Sequence, residues 1–167
     1  MATLNLAGQN FIKLNEVGVT QLPPGSPLLQ LRTDACNCQN VIGYGQGFAF
    51  NDPNAPVSIT PAQAQQYFNQ SSGSALQTLN STVTVPLTPM QTAGCVDYIY
   101  NAGPGTWEGS GIAQALNSGN LNGAAYLMRT TGGGCGPLQG VRNRRATDAA
   151  LLLNQGSINP ATGAYVG

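Results

Sequence analysis

Two four-residue phrases, Thr60-Pro61-Ala62-Gln63 and Thr88-Pro89-Met90-Gln91, constrain this chain more than anything else in it. Each offers a cap hydroxyl to the free amides of a helix start and puts proline where its missing N–H costs nothing. Each also supplies a glutamine that can reach back to the cap. Two helices must therefore begin at those points. The first is predicted to run through Ala64, Tyr67, Phe68, Ala75, Leu76 and Leu79, one apolar face at helical spacing. Gly73 weakens its middle by about 1 kcal/mol and allows a bend. In the second, Cys95, Tyr98 and Ile99 form the buried stripe. After a break at Gly103-Pro104-Gly105, shorter helices are expected around Ser110 to Leu116 and Leu121 to Met128. Gly132 to Pro137 reads as a flexible loop. A last helix from Val141 to Leu153 should carry Arg142, Arg144, Arg145 and Asp148 on one side and Ala149, Leu152 and Leu153 on the other. The tail from Gly156 is expected to pack loosely.

The first third reads differently. Leu4, Leu6, Phe11, Ile12 and Leu14 make a short helical pattern ending near Gly18, which leaves Glu16 at a helix C-terminal end. The helix dipole disfavours a carboxylate there and raises its pKa, though burial would count for more. The Pro-rich run from Thr20 to Pro27 is an irregular loop. Leu28 to Arg32, Val41 to Tyr44 and Gln46 to Phe50 read as short antiparallel strands, with turns at Asp34 to Asn40 and Asn51 to Asn54. Gly43, Gly45 and Gly47 leave room for a backbone or a ligand to come close, or serve only twist and tight packing. Strands grouped early and helices grouped late make an α+β fold.

Chemistry is bounded by what is missing. There is no histidine, which removes the commonest general base and the imidazole metal ligands together. Charged residues are 7% of the chain, against about 25% in ordinary globular proteins, so the polar surface comes from neutral amides and hydroxyls. Net charge is zero, and nothing here neutralises a run of phosphates, so nucleic acid is not an expected partner. The first residues lack the charged start and apolar core of a signal peptide, and no apolar run could span a bilayer; no export or membrane insertion is expected. Cys36, Cys38, Cys95 and Cys135 allow three disulfide pairings, but a cytosolic site of synthesis favours free thiols. Cys36 and Cys38 are spaced too tightly for an ordinary zinc site, and no metal or cofactor is expected. Cys95 reads as a small buried hydrophobe.

Proton transfer must fall to carboxylates, of which there are six: Glu16, Asp34, Asp52, Asp97, Glu108 and Asp148. Asp52 lies in an Asp-Pro turn, Glu108 beside a helix start, and Asp148 within helical reach of Arg144 and Arg145; all three have structural work. Asp97 sits in a mostly apolar helix, where an acid is usually solvated or paired, and is held in reserve. Glu16 and Asp34 flank the glycine-rich sheet, where a cleft between a sheet lobe and a helical lobe would open. Paired carboxylates across a cleft are what glycoside hydrolysis requires.

The chain then resembles a known family. The segment around Glu16 is followed in order by Ile42-Gly43-Tyr44-Gly45, Ile59-Thr60-Pro61-Ala62-Gln63-Ala64 and Val85-Pro86-Leu87-Thr88-Pro89-Met90-Gln91. Tyr100-Asn101-Ala102-Gly103-Pro104-Gly105 and Gly140-Val141-Arg142-Asn143-Arg144-Arg145 complete the set. These blocks resemble the phage-type lysozymes, glycoside hydrolase family 24. The resemblance implies a small antiparallel β lobe, about 17–58, joined by a long helix to a helical lobe, about 60–155 plus the N-terminal helix. The whole, 1–167, would be one catalytic domain and a monomer. It implies peptidoglycan in a cleft between the lobes, with the bond between N-acetylmuramic acid and N-acetylglucosamine as target. The enzyme would be made in the host cytoplasm, reaching the wall after release or on a virion.

By the same resemblance Glu16 matches the family's general acid, and Arg144 the arginine that faces it from the last helix. Tyr44 and Asn101 fall on cleft-lining blocks. The family's threonine just before Ile-Gly-Tyr-Gly is here Val41, which cannot hold a water. Its second acid falls on Ala35, with Asp34 on one side and Cys36 on the other, and the insert after Glu16 is longer than usual. Three outcomes remain open at this point: an inverting muramidase with Asp34 guiding water, a lytic transglycosylase needing Glu16 alone, and a weakened peptidoglycan-binding or virion-structural protein.

Overall fold

The computed structural model describes residues 1–17, 25–34, 39–132 and 139–167. Helix α1, Leu6–Val17, turns Phe11, Ile12 and Leu14 into the core, and its last turn carries Glu16. Three antiparallel strands follow in the order β1 (Leu28–Asp34), β2 (Gln39–Gly43) and β3 (Gln46–Ala49). Pairing of Thr33 with Asn40 and of Asp34 with Gln39 carries the ladder further than the sequence suggests. Asp34 therefore ends a strand, where a turn was expected to begin. Backbone bonds from Leu31 to Val57 and from Ile59 to Leu29 cover the free edge of β1.

The long helix α2 is Pro61–Thr82, and the next, α3, is Pro89–Ala102. Both open with the capping boxes read from the sequence, Thr60 with Gln63 and Thr88 with Gln91. Helix α2 runs unbroken through Gly73 and packs on the sheet and on α3. Helix α3 is buried on every side from Gln91 to Ile99, including Asp97. Gly94 allows the last helix to cross close by: a Cβ there would meet the Asp148 carbonyl at 2.7 Å.

The chain breaks after Ala102 as expected, but an unexpected short helix, α4, Pro104–Gly109, follows at once. Gly103, at φ +86°, reverses the chain, and Pro104 then starts a helix that buries Trp107 and bonds its indole N–H to Thr82 at 2.9 Å. Helices α5 (Ile112–Asn117) and α6 (Leu121–Thr130) fall where the sequence places them, and α7 spans Gln139–Leu152. Its charged side is partly buried. Arg145 and Asp148 are buried beside Ala149 and Leu152, because they pair with each other under α3.

The tail is also a correction. Strands β4 (Ser157–Ile158) and β5 (Tyr165–Val166) form a hairpin, with Ile158 buried. Pro160 accepts from Asn10 of α1 at 3.0 Å, and Tyr165 donates to the Gln155 carbonyl at 2.6 Å. One apolar cluster takes residues from α1, β2, α2 to α7 and β4. Cys95 is buried within it, as expected, while Cys36, Cys38 and Cys135 lie outside the described residues.

Candidate active site

The C-terminal turn of α1 brings the Glu16 carboxyl between the β2–β3 turn and α7. Its Oε1 stands 2.6 Å from Nη2 of Arg144, close enough for strong attraction but off the line of a hydrogen bond. Oε2 lies against Gly45, whose φ of +84° and missing side chain make the space; a Cβ there would overlap it. The side chain of Glu16 is 12% exposed. Burial pushes its carboxyl above the ordinary range, the charge of Arg144 pulls it down, and Asp97 pushes it up again. The raised direction matches the expectation, and burial is its main source.

Arg144 does not serve Glu16 alone. Its Nε and Nη2 donate to the two oxygens of Asp97, each at 2.8 Å, a forked contact of the strong kind. Asn15 donates to the same carboxylate at 3.1 Å. Burial works against the guanidinium charge, but Asp97 and Glu16 more than offset it and hold Arg144 charged. Asp148 lies on the other side of Asp97. Burial, then the charge of Asp97 and a hydrogen bond with it, raise Asp148 well above the carboxylate range. It accepts from Arg145 at 3.2 Å, and Arg145 also donates to Asn101 and stacks its guanidinium 4.2 Å from the centre of the Tyr98 ring.

The turn that faces Glu16 is braced from behind. Tyr44 is buried edge-on against Phe68 of α2, ring centres 5.6 Å apart, and its carbonyl accepts from the Tyr100 hydroxyl of α3. Lys13, one turn before Glu16, stands over both rings and donates to Gln65 at 2.6 Å. Burial lowers its pKa. A hollow of about 580 Å³ opens beside Arg144, lined by Asn15, Asn101, Gln139, Asn143 and Thr147 among others.

Glu16, Arg144, Tyr44 and Asn101 thus converge around one region. Val41 and Asp34 lie further along the ladder. Gly43 opposes Leu28, Val41 opposes Arg32, and Asp34 opposes Gln39 at the far end, about 13 Å of strand from the Gly43 rung. Val41 also pairs with Gly47 of β3, and the Gln39 amide folds over that glycine, which places a polar group next to the valine. Cys36 lies outside the described residues. Among those described, no cluster of three or more His, Cys, Asp or Glu could hold a metal ion, and no helix is long and apolar enough to cross a membrane.

Asp97, Asn15 and Tyr100 also meet this cluster through their hydrogen bonds. The signal for Asp97 was an acid between Val96 and Tyr98 in a mostly apolar helix. Such an acid must be paired, and a free arginine is needed to pair it.

The sequence matches the family model described as phage lysozyme over residues 29–148. No sequence among curated proteins matches it. Among solved structures, an endolysin from Escherichia coli O157:H7 phage FAHEc1 superposes with a TM-score of 0.73 at 25% identity, covering 92% of this chain and 95% of that one. The muramidase domain of SpmX from Asticaccaulis excentricus gives 0.71 at 22%, covering 92% and 99%. A mutant of P22 lysozyme gives 0.68 at 22%, again covering 92% and 99%.

Proposed function

We propose, for a chain that belongs to the phage lysozyme family, a muramidase that hydrolyses the β-1,4 bond between N-acetylmuramic acid and N-acetylglucosamine in peptidoglycan. Glu16 is its general acid. The observation that carries this reading is a carboxyl, 12% exposed and raised by burial, standing 2.6 Å from an arginine that is itself shared with Asp97. Such a group keeps its proton at pH values where a free glutamate has lost it. As the glycosidic oxygen takes that proton, the new carboxylate is met by Arg144, so the developing charge is stabilised where it forms.

Inversion also needs a water held on the far face of the sugar. Val41 offers only methyl groups, so that task falls to Asp34, at the end of β1, with the Gln39 amide beside Val41 as the second polar contact. The neutral amides and hydroxyls around the hollow beside Arg144, Asn101 among them, suit sugar hydroxyls and acetamido groups. Tyr44 holds the turn against which Glu16 rests. The enzyme works as one domain and a monomer, made in the host cytoplasm and acting on the wall after release or from a virion.

Mass spectrometry of muropeptides from digested walls tests this. New reducing ends on N-acetylmuramic acid support it. Anhydro ends would identify a lytic transglycosylase, the reading that the apolar Val41 favours, since no water is then activated. A folded protein that releases nothing would be a wall-binding or virion-structural relative.

A further inference from the structure

We propose that Asp97, whose buried carboxylate grips Arg144 at two points, is a positioning residue that fixes this guanidinium beside Glu16 and withholds part of its charge from the acid. The inference deepens the function proposed above and rests on Glu16 being the proton donor.

The geometry makes the division of charge explicit. Arg144 spends Nε wholly on Asp97 and divides Nη2 between Asp97 Oδ1 at 2.8 Å and Glu16 Oε1 at 2.6 Å. With Glu16 protonated, the form that has a proton to give, Arg144 and Asp97 are a matched pair. Remove the charge of Asp97 and a whole positive charge stands against Glu16, which then ionises early and arrives at the bond with nothing to donate. Leave Asp97 in place and Arg144 still meets the carboxylate that forms once the proton has gone.

Asp97 is fully buried, so its charge is not screened by solvent. Asn15 holds one of its oxygens at 3.1 Å, from the same turn of α1 that carries Glu16. Acid and positioning residue are thereby tied through adjacent residues. Asp148, on the far side, is pushed up by burial and by Asp97 itself, and in its protonated form it adds no second negative charge beneath the site.

Among the described residues, the other groups near Glu16 are uncharged or engaged elsewhere. From α3, Tyr100 faces it as a hydroxyl whose pKa is raised by burial and then by Glu16, so it brings no charge. From α7, Arg145 is engaged by Asp148 and Asn101. From α1, Lys13 is turned to Gln65 and two aromatic rings. The β2–β3 turn meets the carboxyl with Gly45, and the Tyr44 ring beside it is turned to Phe68.

The test reads Glu16 directly, by carboxyl-carbon NMR titration of the free protein, with Glu16→Gln to assign the signal. The pH dependence of kcat on purified walls is measured in parallel. In a folded Asp97→Asn variant the Glu16 midpoint should fall by about one unit, a tenfold loss of protonated acid above it, and the alkaline limb of kcat should move down by the same amount with KM unchanged. An unmoved or raised midpoint overturns the proposal. Should that variant not fold, Asp97→Ser, which removes the charge and keeps Arg144, is read in the same way. Its Glu16 midpoint must also fall below wild type, and an unmoved or raised midpoint overturns the proposal. If Glu16→Gln keeps its activity, Glu16 is not the donor; the titration still reports whether Asp97 sets its pKa.

Discussion

Replacing Arg144 with alanine removes one side chain and disturbs two carboxylates. Asp97, 0% exposed, loses both forked bonds and keeps only Asn15 and its contact with Asp148; Glu16, 12% exposed, loses its counter-charge at 2.6 Å. Breaking a buried pair from one side costs about 3–5 kcal/mol, because the partner is left charged and dry. For a domain of this size that corresponds to a fall in Tm of about 6 to 20 °C. The catalytic effect has its own direction. Arg144 pulls the Glu16 pKa down, so its loss should carry the alkaline limb of activity to higher pH while turnover drops. Calorimetry and wall-clearing rates against pH measure both. A Tm within about 3 °C of wild type, or a limb that moves to lower pH, would refute the reasoning. Arg145→Ala should be comparably unstable because Arg145 is 2% exposed and bonded to Asn101 and Asp148. Its alkaline limb should scarcely move.

Gly45→Ala sets a side chain at φ +84°, a strain of about 1–2 kcal/mol, and pushes on the Glu16 carboxyl; about a hundredfold loss of wall lysis is expected, and near-normal activity would show that Glu16 needs no such exact placement. Asp34→Asn should lower turnover more than tenfold, more than ~1.4 kcal/mol of barrier, while Val41→Thr leaves it equal or higher. If both are silent and the products carry reducing ends, water is held by other groups. The Asp148 carboxyl is raised by folding, so its contribution to stability is present in acid and is lost as pH rises through its folded value. Asp148→Asn, which mimics the protonated form, should therefore flatten the decline of Tm with rising pH, and an unchanged slope would mean that Asp148 is ionised throughout.

Local signals carried well from sequence to fold. Thr60 and Thr88 cap helices because the side chains that do it lie within four residues of each other, so no tertiary knowledge is needed. Gly103-Pro104 was read correctly as the end of one helix, but the start of α4 at the same pair was missed, because it is the burial of Trp107 that secures it. The tail was misjudged for a related reason: Ile158 and Tyr165 have little to pack on until α1 is beside them. On α7 the periodicity set Arg145 and Asp148 apart from the apolar residues, yet polar side chains bonded to each other and, for Arg145, to Asn101 and the Tyr98 ring can be buried. At the site, Glu16 and Arg144 were legible and the structure brings them into contact. Asp97 was legible only as an oddity, because its role depends on two helices far apart in sequence meeting at one guanidinium.

If one proton on Glu16 drives the reaction, Glu16→Gln removes that proton while keeping the shape of the side chain. Release of reducing ends from purified walls should fall by at least a hundredfold, about 2.7 kcal/mol of barrier, with a Tm at or above that of wild type. A folded Glu16→Gln protein that retains a tenth or more of the activity, on the order of 1.4 kcal/mol or less of lost barrier, would contradict it.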